Sequence, residues 1–543
     1  MGKRNSRSRS MARATSAASA GAAPSMAAYD GANTSDLSLL DWLPAAASAD
    51  ADLLPDLQTL TARSRDLNRN NGVMAGGMQT LRDNIVGSTL RLSTAPDYRL
   101  LGKTLEWALE WGNNTEAKFR SWADTTEVDA GRSLNLLGLT LQQLGGAMLN
   151  GDALALPLWL PRAGAKWGTR LMAVEADRLC TPLGMEHRDD LRGGIEMDRY
   201  GAPVAYHILK RHPGDAFGFG AFGGIAGMPA LEWDRVPAFT PWGRRRVVHL
   251  LDRERTGQSR GRPIVSAVMN EFQMAGNYAT NELKASLAGS LVAAFLESDL
   301  SPEASGALFG DKPREQWSTS AKGVARTNAD LRNVRKMEAG AVIPLPVGAR
   351  LNPFVPGRPN QAFEAFMLAV MRNIAAGLNM PYELLMKDFS RTNYSSARAS
   401  LLEAWRYFNG RRRWLTDYWL RAVYELWLEE AVNAGEVDAP DFYDQRYAYS
   451  RARFIFGGRG WVDPVKEATA AKLRMDMGLS TLERECAEQG EDYEEILDQQ
   501  AIERRMRAAR GLPEAGAVQY VSAAAPPKKD DDEEGDDAQE QTA

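Results

Sequence analysis

The stretch Gly257–Asp299, GQSRGRPIVSAVMNEFQMAGNYATNELKASLAGSLVAAFLESD, decides how the rest of the chain is read. It joins a Gly/Arg turn to the longest uninterrupted helical pattern in the 543 residues. Apolar side chains recur at Ile264, Val268, Phe272, Ala275, Ala279, Leu283, Leu287, Leu291 and Phe295. A step of three or four throughout marks one face of an α-helix. Pro263 suits the first helical position, where its missing N–H has no intrahelical partner and its φ is already helical. Ala275, Gly276, Ala279, Ala285, Ser286, Ala288 and Gly289 keep the helix thin enough for other backbones to approach on more than one side. A helix of that kind reads as part of a wall.

Working outward, composition bounds the class. A chain of 543 residues with 44% hydrophobic and 25% charged residues is a soluble, globular, multidomain protein. A net charge of −5 argues against a wholesale nucleic-acid coat and leaves room for local basic surface. Cys180 and Cys486 cannot form a disulfide framework and fit a reducing compartment. No apolar run approaches the roughly 20 residues of a membrane span, so no membrane partner is expected. The basic, then Ala/Ser-rich N-terminus lacks the apolar stretch of a signal peptide.

Residues 1–52 read as a low-complexity tail, and 516–543 as a second one ending in the acidic run DDDEEGDD. Order is expected from about Leu53, with Pro55 opening a helix. Further helices are expected over Met74–Ile85 with Gly87 as C-terminal cap, Lys103–Ala123 anchored by Leu105, Leu109 and Trp122, and Ser133–Leu149 stopped by Asn150-Gly151-Asp152. From Ala153 to His249 short apolar runs between turns read as strands, giving an α+β fold that is mainly α. After an irregular polar insert, a helix returns over Asn360–Leu378, so two helices flank the insert. A third long helix from about Ser395 to Glu430 carries Leu401, Trp405, Phe408, Leu415, Trp419, Val423 and Leu426, with Ser395 and Ser396 at its cap.

The sharpest catalytic match is Gly257-Gln258-Ser259-Arg260-Gly261, which satisfies G-x-S-x-G and would make Ser259 a hydrolase nucleophile. All four histidines precede Ser259, however, so the order nucleophile, acid, histidine cannot be met. Gly164–Thr169 lacks the spacing and the lysine of a phosphate-cradling loop. Glu186–Asp190 offers metal-ligand types, but consecutive residues cannot all converge on one ion, and a solvated turn is expected. Arginines interleaved with aromatics at Trp405–Trp414 read as a core helix with a charged outer face. No catalytic residue, cofactor or metal is therefore expected; the alternative kept open is an enzyme, either a serine hydrolase at Ser259 or a metal-dependent nuclease.

Six segments taken in order resemble the portal proteins of lambda-like tailed bacteriophages: LNRNNGVMAGGMQTLRDNIVG from Leu67, ADRLCTP from Ala176, GIEMDRYGAPVAYH from Gly194, HLLDRERTGQSRGRP from His249, LNMPYELLMKDFSRTNYSSARASL from Leu378 and GWVDPVKEATAAKLRMDMG from Gly460. The chain departs from the family pattern at Val128 and Asp152. The resemblance implies a ring, usually twelve-fold, at one capsid vertex of the virion, assembled in the host cytoplasm and conducting double-stranded DNA without sequence preference. It also implies the partners: further copies of the chain, the terminase large subunit, head-tail joining proteins, and the major capsid and scaffold proteins. On this plan 53–263 is the wing, 264–299 and 360–379 the paired stem helices, 300–359 the clip, 380–396 the channel loop, 397–435 a long wing helix and 436–515 the C-terminal wing and crown. Gln258, Arg260, Gly261 and Pro263 would form the joint of wing and stem, and Ala275, Gly276, Ala279 and Gly289 the packing between neighbouring stems. Lys387, Arg391 and Asn393 would face the lumen, with Asp388 bracing the loop and Tyr394 at its end.

Overall fold

The amphipathic periods and turn signals of the sequence are realised as two kinds of layer, helices around one large apolar core and small, mostly antiparallel sheets beside it. A computed structural model describes residues 30–33, 37–39, 41–217, 231–291, 294–296, 342–344, 362–458 and 464–512. Residues 1–29 and 516–543 and nearly all of 300–359 lie outside the described residues, as do the expectations made for them, whereas the end of the expected N-terminal tail is already helical from Ala49.

The chain opens with α1 (Ala49–Asn70), α2 (Gly72–Ile85), β1 (Leu90–Thr94), α3 (Leu105–Ala123) and α4 (Leu136–Asn150). Next come β2 (Asp152–Trp159), β3 (Thr169–Val174), β4 (Leu191–Arg192), β5 (Ile195–Met197), β6 (Pro203–Leu209), β7 (Trp233–Pro237) and β8 (Val248–Leu251). Then follow α5 (Met269–Leu291), β9 (Ala294–Leu296), β10 (Val342–Pro344), α6 (Phe363–Gly377), α7 (Tyr382–Met386) and α8 (Tyr394–Leu415). A π-helical turn, Thr416–Leu420, leads into α9 (Arg421–Asn433), and α10 (Arg446–Tyr449), β11 (Ala452–Phe456), α11 (Pro464–Asp476), α12 (Leu482–Glu488) and α13 (Tyr493–Ala509) complete the described chain.

Local signals explain most boundaries. Ser48 caps α1 by accepting from the Ala51 N–H, four residues earlier than expected, so Pro55 sits inside the helix rather than at its start. Asn71 ends α1 and caps α2 through Val73 and Met74. Gly87 has a positive φ of 75° and donates to Arg82 O, the glycine cap expected there. In α3 the anchors are Trp111, Phe119 and Trp122, whereas Leu105 and Leu109 point to solvent. Those leucines lie at the flank of the buried face, which apolarity alone did not reveal.

The two larger sheets have the orders β3-β2-β8 and β4-β5-β6-β7, both antiparallel, while β1 pairs antiparallel with β11 and β9 parallel with β10. Strand β2 is buried on both sides. Its Ala153 and Ala155 join the helical core, and its Leu154 and Leu156 join a second cluster with Leu179, Ile195, Tyr206 and Ile208. Double burial is why the run ALALPLW does not alternate with polar residues. The long C-terminal helix lies across the core. Its π turn inserts an extra residue, so that adjacent Trp419 and Leu420 are both buried and the stripe continues in Val423, Tyr424 and Trp427. Trp419 fixes this register by donating its indole N–H to Thr140 Oγ1 at 3.0 Å.

Candidate functional site

The joint between the strands and α5 is organised by Arg260. Its guanidinium spends all five N–H donors: Nε and Nη2 on the two carboxylate oxygens of Asp152 (2.5 and 3.1 Å), Nη1 on the carbonyls of Leu179 and Gly193, and Nη2 again on Ala176 O. Arg260 is 5% exposed and Asp152 fully buried. Burial alone would push the Asp152 carboxyl up, but the Arg260 charge and the hydrogen bonds from His249 and Arg260 hold it well below the usual carboxylate range. His249, buried beside it with Nε2 at 3.1 Å from Asp152 Oδ2, has its own pKa lowered by that burial. One arginine thus ties the start of β2, the turn after β3 and the β4–β5 hairpin to the entry of α5.

The neighbouring residues complete the joint. Gln258 donates to Arg260 O and accepts from the Glu254 and Arg255 N–H groups. The Ser259 N–H donates to Asp50 of α1. Gly261 and Gly151 meet backbone to backbone, and a Cβ on Gly261 would lie 1.8 Å from Gly151 O. Pro263 does not begin the helix. Ile264–Val268 form successive turns, the Ile264 N–H bonds to Met148 O, and α5 starts only at Met269. The fixed φ of proline serves a turn as well as a helix, and the buried Val265 and Val268 fill the core at this bend.

Helices α5 and α6 run antiparallel. A Cβ on Gly377, at the end of α6, would strike Val268 just before α5, while Tyr278 stacks on Phe363 and meets Phe366 edge-on at the start of α6. Among the four small residues assigned to packing between stems, Ala275 is 4% exposed and belongs to the subunit's own core. Gly276 and Ala279 are half-buried, and Gly289 lies in the last turns of α5. The helix does not reach Phe295, which lies in β9 and pairs in parallel with Ile343. Beyond the joint, α5 carries apolar side chains that its own subunit leaves open, Met274 at 70% and Leu283 at 63% exposure.

The loop after α6 is held by its own polar side chains. Lys387 is exposed and terminates α7 in the left-handed region with φ 55°. Asp388 accepts from the Ser390 N–H and hydroxyl, which lowers its pKa. Arg391 pairs with Glu364 at the start of α6. Asn393, rather than Ser395 or Ser396, is the N-cap of α8 and accepts from the Ser396 N–H at 2.8 Å, so its side chain is committed to the helix end. Asparagine is a strong capping residue, and Tyr394 is the first helical position.

Ser259 is 1% exposed and its hydroxyl has no hydrogen-bond partner among the described residues, which leaves the hydrolase reading without an accessible or activated nucleophile. The turn Glu186–Asp190 is largely exposed, with Asp190 paired to Arg188. Glu175, Asp177 and His212 come together within 4.8 Å, but Asp177 is already paired with Arg65. No described helix is long and apolar enough to cross a membrane. Asp152, Asp50, His249 and Glu364 are the site partners that sequence reasoning missed. A charged residue heading the apolar run of β2 is the one local sign that Asp152 has a buried partner.

The family model of phage portal protein, lambda family, matches residues 36–412. The chain is 31% identical over 483 residues to the portal protein of Escherichia phage N15, covering 87% of this chain and 89% of that one. It is 30% identical over 483 residues to portal protein B of Escherichia phage lambda, with 87% and 88% covered. A probable portal protein of Halomonas phage phiHAP-1 is 25% identical over 487 residues, with 87% and 85% covered. Among solved structures, a chain of the virion of a native gene transfer agent particle aligns at 14% identity and a TM-score of 0.35, covering 85% of this chain and 94% of that one. With the family model spanning more than half of the sequence and two curated relatives at 30% identity or above, the chain belongs to the lambda family of phage portal proteins.

Proposed function

We propose that copies of this chain assemble into a ring, a dodecamer, that forms the DNA channel at one capsid vertex of the virion. The observation that carries this reading is the apolar surface of α5 beyond the joint. Met274 and Leu283 stand open on a helix whose base is firmly packed, and the same helix of a neighbouring copy is the natural cover. In this reading 53–263 with 397–435 is the wing, α5 and α6 are the stem, 300–359 is the clip toward the terminase large subunit and the head-tail joining proteins, and 436–515 forms the crown. The capsid and scaffold proteins would surround the ring during assembly in the host cytoplasm. The chain would supply a conduit and a docking surface, and the packaging motor would be a separate protein.

The loop 380–396 would approach the DNA. Lys387 is the cation there without a paired carboxylate among the described residues, and Arg391 is restrained by Glu364, so the loop offers the backbone few strong contacts. Weak contact suits a channel, because each tight phosphate contact adds to the barrier against sliding. Negative-stain imaging of purified protein tests the ring, and a monomer under every condition overturns it. Rings carrying Lys387→Ala and Arg391→Ala should assemble normally and package DNA with altered efficiency. Packaging at the normal level would remove the loop from the mechanism.

A further inference from the structure

Helix α13 is tied at its start, where Glu495 pairs with Arg91 and Arg120. From Leu497 to Leu512 the chain stands exposed except for Arg507. Its end carries four arginines, Arg504, Arg505, Arg507 and Arg510, in the sequence RRMRAAR. Arg504, Arg505 and Arg510 have no ion-pair partner among the described residues, and the one acid nearby, Glu503, accepts from Gln499. This end calls for a polyanion.

The same chain carries one. Residues 530–537, DDDEEGDD, hold seven acidic groups within eight positions. Seventeen residues separate Leu512 from Asp530. At up to about 3.5 Å per residue they can span roughly 60 Å, and the last two turns of α13 extend only about 10 Å from its end, so the acidic run can reach them. We infer that the acidic segment 530–537 seats on the arginine-rich end of α13, in its own or a neighbouring copy, and keeps these arginines from binding DNA. Duplex phosphates present the same anionic chemistry and are the competitor the segment holds off. The inference goes beyond the ring reading and does not depend on it.

The test uses the full chain, a chain ending at Leu512, and the latter with Arg504→Ala, Arg505→Ala and Arg510→Ala. The probe is a fluorescent peptide of residues 526–540, followed by anisotropy at about 50 mM and about 200 mM salt, a range over which a charge-driven contact weakens strongly. The peptide should bind the shortened chain, bind the full chain poorly because its site is filled, and lose about tenfold in affinity to the triple variant. Equal binding to the triple variant, or to the full chain, overturns the inference. A short random-sequence duplex in the same assay should bind the shortened chain more tightly than the full one; equal binding means that the arginines serve DNA directly, and also overturns it. Circular dichroism checks that the three exposed substitutions leave the helix content unchanged. Light scattering on the same samples reads ring formation, so a failure of the ring reading and a failure of this one are told apart.

Discussion

Replacing Arg260 by Met keeps most of the side-chain volume and removes the guanidinium. Asp152 is then left fully buried with His249 as its one remaining polar partner, and the carbonyls of Ala176, Leu179 and Gly193 lose their donor. Breaking a buried pair from one side costs about 3–5 kcal/mol, and the orphaned carbonyls place this case toward the upper end. For a folding unit of roughly 400 residues that is a fall in melting temperature of about 5 °C. The assay is calorimetry beside urea denaturation followed by tryptophan fluorescence. Arg260→Lys should recover only part of the loss, because an ammonium has three donors and no planar fork to match the carboxylate. Adding Asp152→Asn to Arg260→Met should restore part of the stability, since no buried charge is then left alone. The sign of the pH effect is set by the depressed Asp152 pKa. The stabilisation is fully present above the unfolded value near 3.9 and is lost as pH falls through the folded value; in Arg260→Met burial instead raises the Asp152 pKa, so the lone carboxylate takes up a proton as pH falls and the deficit against wild type should be largest at pH 8 and shrink toward pH 5. A loss below about 1 kcal/mol, or Arg260→Lys behaving as wild type, would refute the assignment of Arg260 as the organiser of the joint.

Gly261→Ala places a Cβ 1.8 Å from a backbone oxygen that has no room to move, and should cut the yield of soluble protein more than any change on the exposed face of α5. Asn393→Ala removes the cap of α8 and should cost about 1 kcal/mol, while Asn393→Asp should be near neutral; equal stability of the Ala variant in a denaturant series would contradict the capping role. Glu116, half-buried against Thr94, has its pKa raised to about 7 by that burial, against the pull of the Thr94 hydrogen bonds. Its folded form therefore holds a proton that the unfolded chain releases, and between about pH 4.5 and 7 this group makes stability fall as pH rises. Glu116→Gln should flatten that slope and stabilise the protein at pH 8, which denaturation midpoints across the range will test.

Much of the helical frame was legible because its signals are local. Asn150-Gly151 stops α4, Gly87 caps α2, and the stripe from Leu401 to Leu426 runs through α8 and α9. The misreadings share a cause. Pro55, Pro263 and Leu105 were judged by what their residue type does at a helix start or on an apolar face, and each position was settled by something distant in the chain or by a stronger neighbour. Ser48 draws α1 back past Pro55, the bond from Ile264 to Met148 holds the bend after Pro263, and the face of α3 beside Leu105 meets the core. The π turn at Thr416–Leu420 is likewise invisible to a fixed period of 3.6, because it resets that period by one residue.

By itself the sequence determined the long helix after Gly257, its partner across the insert, the mixed α+β plan and the family resemblance, since periodicity, turn residues and ordered segments are carried along the chain. Only the tertiary structure decided what the Gly-Gln-Ser-Arg-Gly turn is for. Its arginine meets an aspartate 108 residues earlier in the chain, its second glycine meets Gly151, and its serine is sealed beneath α1. A buried charge takes its meaning from its partner, and that partner is brought near by folding rather than by order in the chain.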